Sequence, residues 1–132
     1  MLNPSTADEQ RDDPTIRRCI GFAHDWGYGG VEIVNLFAFR ATDPRALRHA
    51  ADPVGCHNDR HLARAARRAT LVVTAWGARA DVRRARRAMR VLSGQRRSLA
   101  HLGFTRSRQP RHPLYLPRSF RPIRYGSETE AR

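Results

Sequence analysis

The sequence predicts an α/β fold: a three-layer α/β/α arrangement with a short, mainly parallel sheet, lacking its first strand in this chain. Three observations carry this. Two nearly continuous apolar runs, Val31–Phe37 and Thr70–Trp76, have the β-branched composition of strands covered on both faces. Segments with helical apolar spacing alternate with them, the pattern of βαβ units. The polar, turn-forming opening Leu2-Asn3-Pro4-Ser5-Thr6-Ala7-Asp8 stands where a strand-to-helix loop belongs, with no strand before it. With 132 residues, one core is expected, over 1–117, followed by a non-periodic tail, 118–132.

Taken in order, Asp12-Asp13-Pro14 is a helix start. Asp13 can cap free N–H groups, and proline at the first helical position gives up a donor that has no partner there. Ile16, Cys19, Ile20, Ala23 and Trp26 then recur at helical spacing, placing Arg17, Arg18 and Asp25 largely on the other side. Gly27-Tyr28-Gly29-Gly30 is read as a helix stop. A phosphate loop would follow a strand into a helix, and this glycine cluster precedes one. In the run Val31–Phe37, Asn35 is a polar amide near the C-terminal end of a buried strand, where open α/β sheets bind ligands. Bonding to a neighbouring loop would satisfy it equally well.

Asp43-Pro44 starts a second, short helix and Asp52-Pro53 marks a turn. Asn58 or Asp59 opens a helix to about Arg68, with Leu62, Ala65, Ala66 and Ala69 inward. Cys56, His57 and His61 resemble a partial metal set, but no second cluster completes four ligands and no metal site is expected. Gly77 ends the second apolar run. The helix 80–93 carries an apolar stripe of Val82, Ala85, Met89 and Leu92, with Arg83, Arg84, Arg86, Arg87 and Arg90 outward. Leu99–Thr105 is a weaker strand, followed by a polar loop and His112-Pro113-Leu114-Tyr115-Leu116-Pro117.

The charge is divided along the chain. Residues 1–59 hold six Arg against nine acidic groups, and residues 60–132 hold nineteen against three. Such asymmetry favours a polyanionic partner, that is DNA, RNA or a nucleotide, through the Arg-rich C-terminal half. Every basic side chain is Arg and none is Lys, which is also what a GC-rich coding sequence would produce. No run approaches the length of a membrane span, and no charged-then-apolar leader opens the chain, so a cytoplasmic protein without a membrane partner is expected. Two cysteines without a CxxC pattern are read as thiols. No cofactor motif is present, and the sequence leaves the oligomeric state open.

Several segments together resemble the family catalogued as domain of unknown function 1643: Leu2–Asp8, Asp12–Arg18, Trp26–Gly30, Val34–Ala38, Arg40–Pro44, Ala75–Gly77 and Arg111–Leu116. The likeness runs in order from 2 to 117. In that family the Asn-Pro-Ser turn follows a segment that includes a strand. The resemblance therefore implies that the start lies upstream and that Met1 is an internal methionine of that strand. An inactive truncated product is the corresponding functional alternative.

More distantly, the order of motifs is similar to the uracil-DNA glycosylase superfamily, which has a three-layer α/β/α fold. Asn3-Pro4 resembles its water-positioning turn, Asn35 with Arg40 and Pro44 its second motif, and His112-Pro113 its last. Trp76-Gly77 stands at the strand end between them, and Leu114 replaces the serine that usually ends the last motif. The resemblance implies hydrolysis of a base N-glycosidic bond, with Asn3, Asp8 and His112 as catalytic candidates. Asn3 would hold the water, with Asp8 as an alternative base, and His112 would donate to the base carbonyl. Pro4, Ser5, Thr6, Asn35, Arg40, Trp76, Gly77, Pro113 and Tyr115 are the substrate-binding candidates. Cleavage of this kind needs a placed water and donors for charge developing on the departing base. The plain alternatives are that Asn3 and Asp8 cap turns and His112 fills a loop, in a protein that binds nucleic acid without catalysis.

Overall fold

A computed structural model describes residues 1, 13–37, 55 and 57–127. Among the described residues it is a mixed α/β structure of three helices and a three-stranded sheet. Helix α1 spans Pro14–Asp25, α2 Asn58–Arg68 and α3 Val82–Ser93. Strand β1 spans Leu71–Thr74, β2 Ser98–His101 and β3 Ile123–Arg124. The sheet order is β1-β2-β3. Strands β1 and β2 are parallel, Leu71 opposite Ser98 and Thr74 opposite His101, and β3 is antiparallel to β2.

The Asp-Pro start of α1 behaves as the sequence suggests. Asp13 Oδ1 accepts from the N–H groups of Thr15, at 2.8 Å, and Ile16, at 3.3 Å. Asp13→Ala is expected to cost about 1 kcal/mol of stability, read from the urea unfolding midpoint. The helix ends where Gly27 takes φ +84°, with Tyr28 N–H donating to Ala23 and Gly27 N–H to His24. This paired closure needs a left-handed residue, which glycine supplies without a Cβ penalty. The inward face differs from the expected one. Ala23 is buried as expected, but Ile16 and Ile20 are 45% and 53% exposed, and Phe22, outside the expected stripe, is buried. Phe22 packs with Ala75, Leu102 and Leu116, and these fix which side of the helix is inside.

Successive strand residues point to opposite faces, and this divides the core. Val72 and Leu99 join Leu62, Ala66, Ala88 and Leu92 of α2 and α3. Val73 faces the cluster around Phe22 of α1. The sheet is thus apolar on both faces, as its near-continuous hydrophobic runs imply.

Three further expectations are revised. Val31–Phe37 is not a strand of the sheet among the described residues. Its ladder is limited to Met1, whose amino group donates to Val34 O at 3.1 Å and whose carbonyl accepts from Leu36 N at 2.9 Å. The Arg-rich face of α3 is not wholly outward. Arg84 is buried while Val82 is exposed, because Arg84, Ala88 and Leu92 lie on one inward stripe four residues apart. Residues 118–127 are not a loose tail. Beyond β3, Trp26 Nε1 donates to Phe120 O at 2.9 Å, Arg118 pairs with Asp25 at 2.7 Å, and the Thr74 and Tyr125 hydroxyls lie 2.7 Å apart. A two-residue strand is too short to show periodicity. The short helix expected at 43–51 lies outside the described residues. No described helix is long and apolar enough to cross a membrane.

Candidate functional site

Strand β1 leaves the sheet through Ala75-Trp76-Gly77, all buried. Trp76 turns its ring into the α2/α3 core, and its Nε1 donates to the buried Gln109 Oε1 at 2.8 Å. Gly77 takes φ +87°, and its N–H donates to Pro110 O at 2.8 Å. These two bonds tie the loop 109–113 to the end of β1. His112 is the consequence: a Cβ built on Gly77 would lie 3.4 Å from the His112 Cβ. Gly77→Ala would force an L-residue into the left-handed region at a cost of roughly 1–2 kcal/mol and press on His112. Loss of that much stability, with a shifted His112 ring resonance in NMR, is the expected outcome.

His112 Nδ1 accepts from Leu114 N–H at 3.2 Å. The neutral ring therefore carries its proton on Nε2, for which no described residue is a partner. Burial pushes the His112 pKa below the usual histidine value, and the nearby Met1 ammonium pushes the same way while Asp13 opposes it. The Met1 ammonium is itself lowered to about 6 by burial. Both groups have folded-state values below their unfolded ones, so the unfolded chain takes up protons first as pH falls. Stability is thus expected to be intact above about pH 8 and to decline as pH drops towards 6. Urea midpoints at pH 8 and pH 6 check this, and a flat profile would contradict it. Carboxylates act in a lower window. Burial works to raise the Asp59 carboxyl, but hydrogen bonds from Arg84 and Arg87 outweigh it and hold it low.

Asn35 is held by its backbone. Its carbonyl accepts from Asn58 Nδ2 at 2.8 Å, the same amide that reaches Leu36 O at 2.8 Å. The half-buried Asn35 side chain has no hydrogen-bond partner among the described residues. The bond pattern around Met1, N–H to Val34 O and Leu36 N–H to Met1 O, is that of a parallel pair with Asn35 opposite. Met1, which immediately precedes the Leu2–Asp8 stretch, is fixed beside Asn35.

A cavity of about 490 Å³ lies at this place, within the range of small-ligand pockets. It brings together Asn35, Trp76 and Pro113 with Met1, Tyr28 and Thr74. Gly77 and His112 are not among the residues that line it. Tyr115 does not join the cluster. It is 90% exposed at φ +71° and borders a second, shallower depression with Arg17 and Arg18. Asn3, Pro4, Ser5, Thr6, Asp8 and Arg40 lie outside the described residues, as does Cys56. His57 and His61 are exposed, and no cluster able to hold a metal occurs among the described residues. Cys19 is a free thiol that burial keeps protonated.

Sequence reasoning missed Asn58, Arg84 and Gln109. The first two carry a readable signal. Asn58 lies four residues before Leu62, and Arg84 four before Ala88, so each continues an inward stripe. Arg84 Nε donates to Leu36 O at 2.6 Å and Nη1 to Asp59 Oδ1 at 2.5 Å. Together the two side chains hold the Asn35-Leu36 backbone from behind. Gln109 sits in an irregular loop with no such pattern.

No curated protein and no solved structure matches the chain. The family model described as "Protein of unknown function (DUF1643)" matches residues 1–114, and the chain belongs to that family.

Proposed function

We propose that the C-terminal end of β1, the loop 109–113 and Asn35 form a site for the base of a nucleotide or nucleic acid, with hydrolysis of a base N-glycosidic bond as its chemistry. The observation that carries this reading is the Asn35 amide, which lines a cavity of about 490 Å³ and has no hydrogen-bond partner among the described residues. A free amide offers one acceptor and two donors side by side, which is what the edge of an extruded base requires. Trp76 and Pro113 supply apolar wall. His112, neutral with its proton on Nε2, has a donor of the kind a base carbonyl requires. The order of Asn3, Asn35 and His112 along the chain, similar to the glycosylase superfamily, supports the same assignment, with Asn3 or Asp8 holding the water. The matching architecture would be the three-layer sheet of that superfamily, which the apolar packing on both sheet faces supports.

The test is to incubate the protein with duplex and single-stranded DNA containing uracil, hypoxanthine or an alkylated base, at stoichiometric protein. Abasic product is expected from one of them, with Asn35→Ala and His112→Ala each slowing it about 100-fold or more. No abasic product from any substrate would remove the catalytic reading.

A second reading, nucleic-acid binding without catalysis, is favoured by a specific feature of α3. Arg83, Arg86 and Arg90 are exposed along one face with no ion-pair partner among the described residues, unlike Arg84 and Arg87, which pair with Asp59. Unpaired guanidinium groups at such spacing suit successive phosphates. Converting all three to Gln is expected to shrink the slope of log affinity against log salt by up to about 3. Fluorescence anisotropy with a labelled duplex reads this, and an unchanged slope would exclude α3 as the contact.

A further inference from the structure

We propose that the depression beside Tyr115 is a second, separate ligand site, which takes one nucleotide unit. The base lies against the Tyr115 ring and the phosphate meets the Arg17 and Arg18 guanidinium groups. The depression encloses about 350 Å³, room for a ligand of that size. It adjoins the cavity at Asn35 without merging with it. Phe22 lines both, whereas Pro113 lines only the larger cavity and its neighbour Leu114 only this one.

Two residues of the lining are unfavourable for the fold alone. Tyr115 is 90% exposed at φ +71° and makes no hydrogen bond or ring contact among the described residues. The left-handed turn has a structural purpose, since it brings Leu116 into the core, with Leu116 N–H donating to Pro113 O at 3.3 Å. Glycine or asparagine would make that turn with less strain. What tyrosine adds is a bare aromatic face, the surface on which a base stacks.

Gly21 is the second. In the interior of α1 it weakens the helix relative to alanine. A Cβ built on Gly21 meets no atom within 4 Å, so packing inside the protein does not demand glycine. Gly21 lines the depression, where a missing side chain lets a ligand approach the helix backbone. Two elements thus point to one occupant.

Charge selects what that occupant is. Arg17, Arg18 and Arg118 line the depression and no carboxylate does. Arg118 is already paired with Asp25 at 2.7 Å, which leaves Arg17 and Arg18 as the cations for a phosphate. Arg18 is anchored in place. It donates to Leu116 O and its guanidinium lies 5.6 Å from the Phe22 ring centroid. One of its five N–H donors is used there, and a guanidinium held in this way loses little freedom on binding an anion. An aromatic face with cations at its edge matches a base joined to a phosphate, whereas an acidic peptide would leave the ring unused. The proposal is independent of the glycosidic chemistry, since Asn35, Trp76 and His112 take no part in it.

The test is binding of thymidine monophosphate, followed by NMR, and of fluorescently labelled pentathymidylate, followed by anisotropy. Saturable binding of either is expected, with shifts at the Gly21 amide and the Tyr115 ring, and the pair distinguishes a free nucleotide from a unit of a single strand. Gly21→Leu fills the floor with a good helix former. It is expected to weaken binding at least about tenfold while the urea midpoint is held or raised. Tyr115→Gly relieves the strained turn and is expected to raise the midpoint while weakening binding at least about fivefold. Loss of affinity without loss of stability is not what a merely structural role would produce. Binding of neither ligand up to about 1 mM overturns the proposal. Unchanged affinity in both variants also overturns it, by placing the nucleotide elsewhere, and leaves the reading of the Asn35 cavity untouched. Inorganic phosphate or tetraglutamate binding as tightly as thymidine monophosphate would show that the ring takes no part, and would overturn it as well.

Discussion

Trp76→Ala is expected to lower the unfolding free energy by about 4 kcal/mol, the upper range for an aromatic removed from a core. Trp76 is 4% exposed and packs among Leu36, Leu62 and Leu92, so its loss opens space on three elements at once. It would also orphan the buried Gln109 side chain, whose acceptor Oε1 receives the indole N–H. Trp76→Phe separates the two effects. It keeps most of the packing but loses the hydrogen bond, for an expected cost of about 1–2 kcal/mol. Urea unfolding of both variants checks the pair. A cost below about 1 kcal/mol for the alanine variant would mean that this side chain is not close-packed.

Arg84→Ala is expected to cost about 3 kcal/mol, because it removes one partner of a largely desolvated charge pair and leaves the other in place. The guanidinium side chain is 4% exposed and bridges Leu36 O and Asp59, whereas Asp59 retains some solvent and the second cation Arg87. Those residual contacts keep the loss from being larger. One nitrogen, Nη2, is buried without a partner, so the site is already imperfectly satisfied. Arg84→Met, which restores apolar volume, should therefore cost less than the alanine variant, about 1–2 kcal/mol. Asn58→Ala, removing the other donor to Leu36 O, should combine with Arg84→Ala non-additively, since the two share an acceptor. Simple additivity would mean that Leu36 O is not their common anchor.

Much of the fold was legible where a local rule decides the structure. Asp13-Pro14 announces its helix because a cap is set by neighbours in sequence, and Gly27 announces its end for the same reason. The inward side of α1 was not legible. Ile16 and Ile20 are as apolar as Phe22, and the choice between them is made by Leu102 and Leu116, some ninety residues away. Val31–Phe37 has the composition of a strand, but strand formation also requires partners on its edges, and composition does not reveal those. Arg84 was read outward on residue type alone, although its register with Ala88 and Leu92 pointed in. For the site, Asn35, Trp76 and Pro113 line one cavity, whereas Gly77 and His112 approach each other outside its lining. The groups that hold them there, Asn58 and Gln109, are ordinary amides whose role comes entirely from what they touch.

The grip of the last part of the chain on α1 bears on how this protein is made. Arg18 donates to Leu116 O and Trp26 to Phe120 O, contacts spanning 98 and 94 residues. A ribosome adds about 5–20 residues per second, so roughly 5–20 s separate synthesis of α1 from synthesis of its anchors. Until those anchors are made, Phe22 and Trp26 lack the cover that Leu116 and Phe120 give them. Docking of α1 onto these anchors therefore waits for a late part of the chain, and the first helix is completed long before its partners are made.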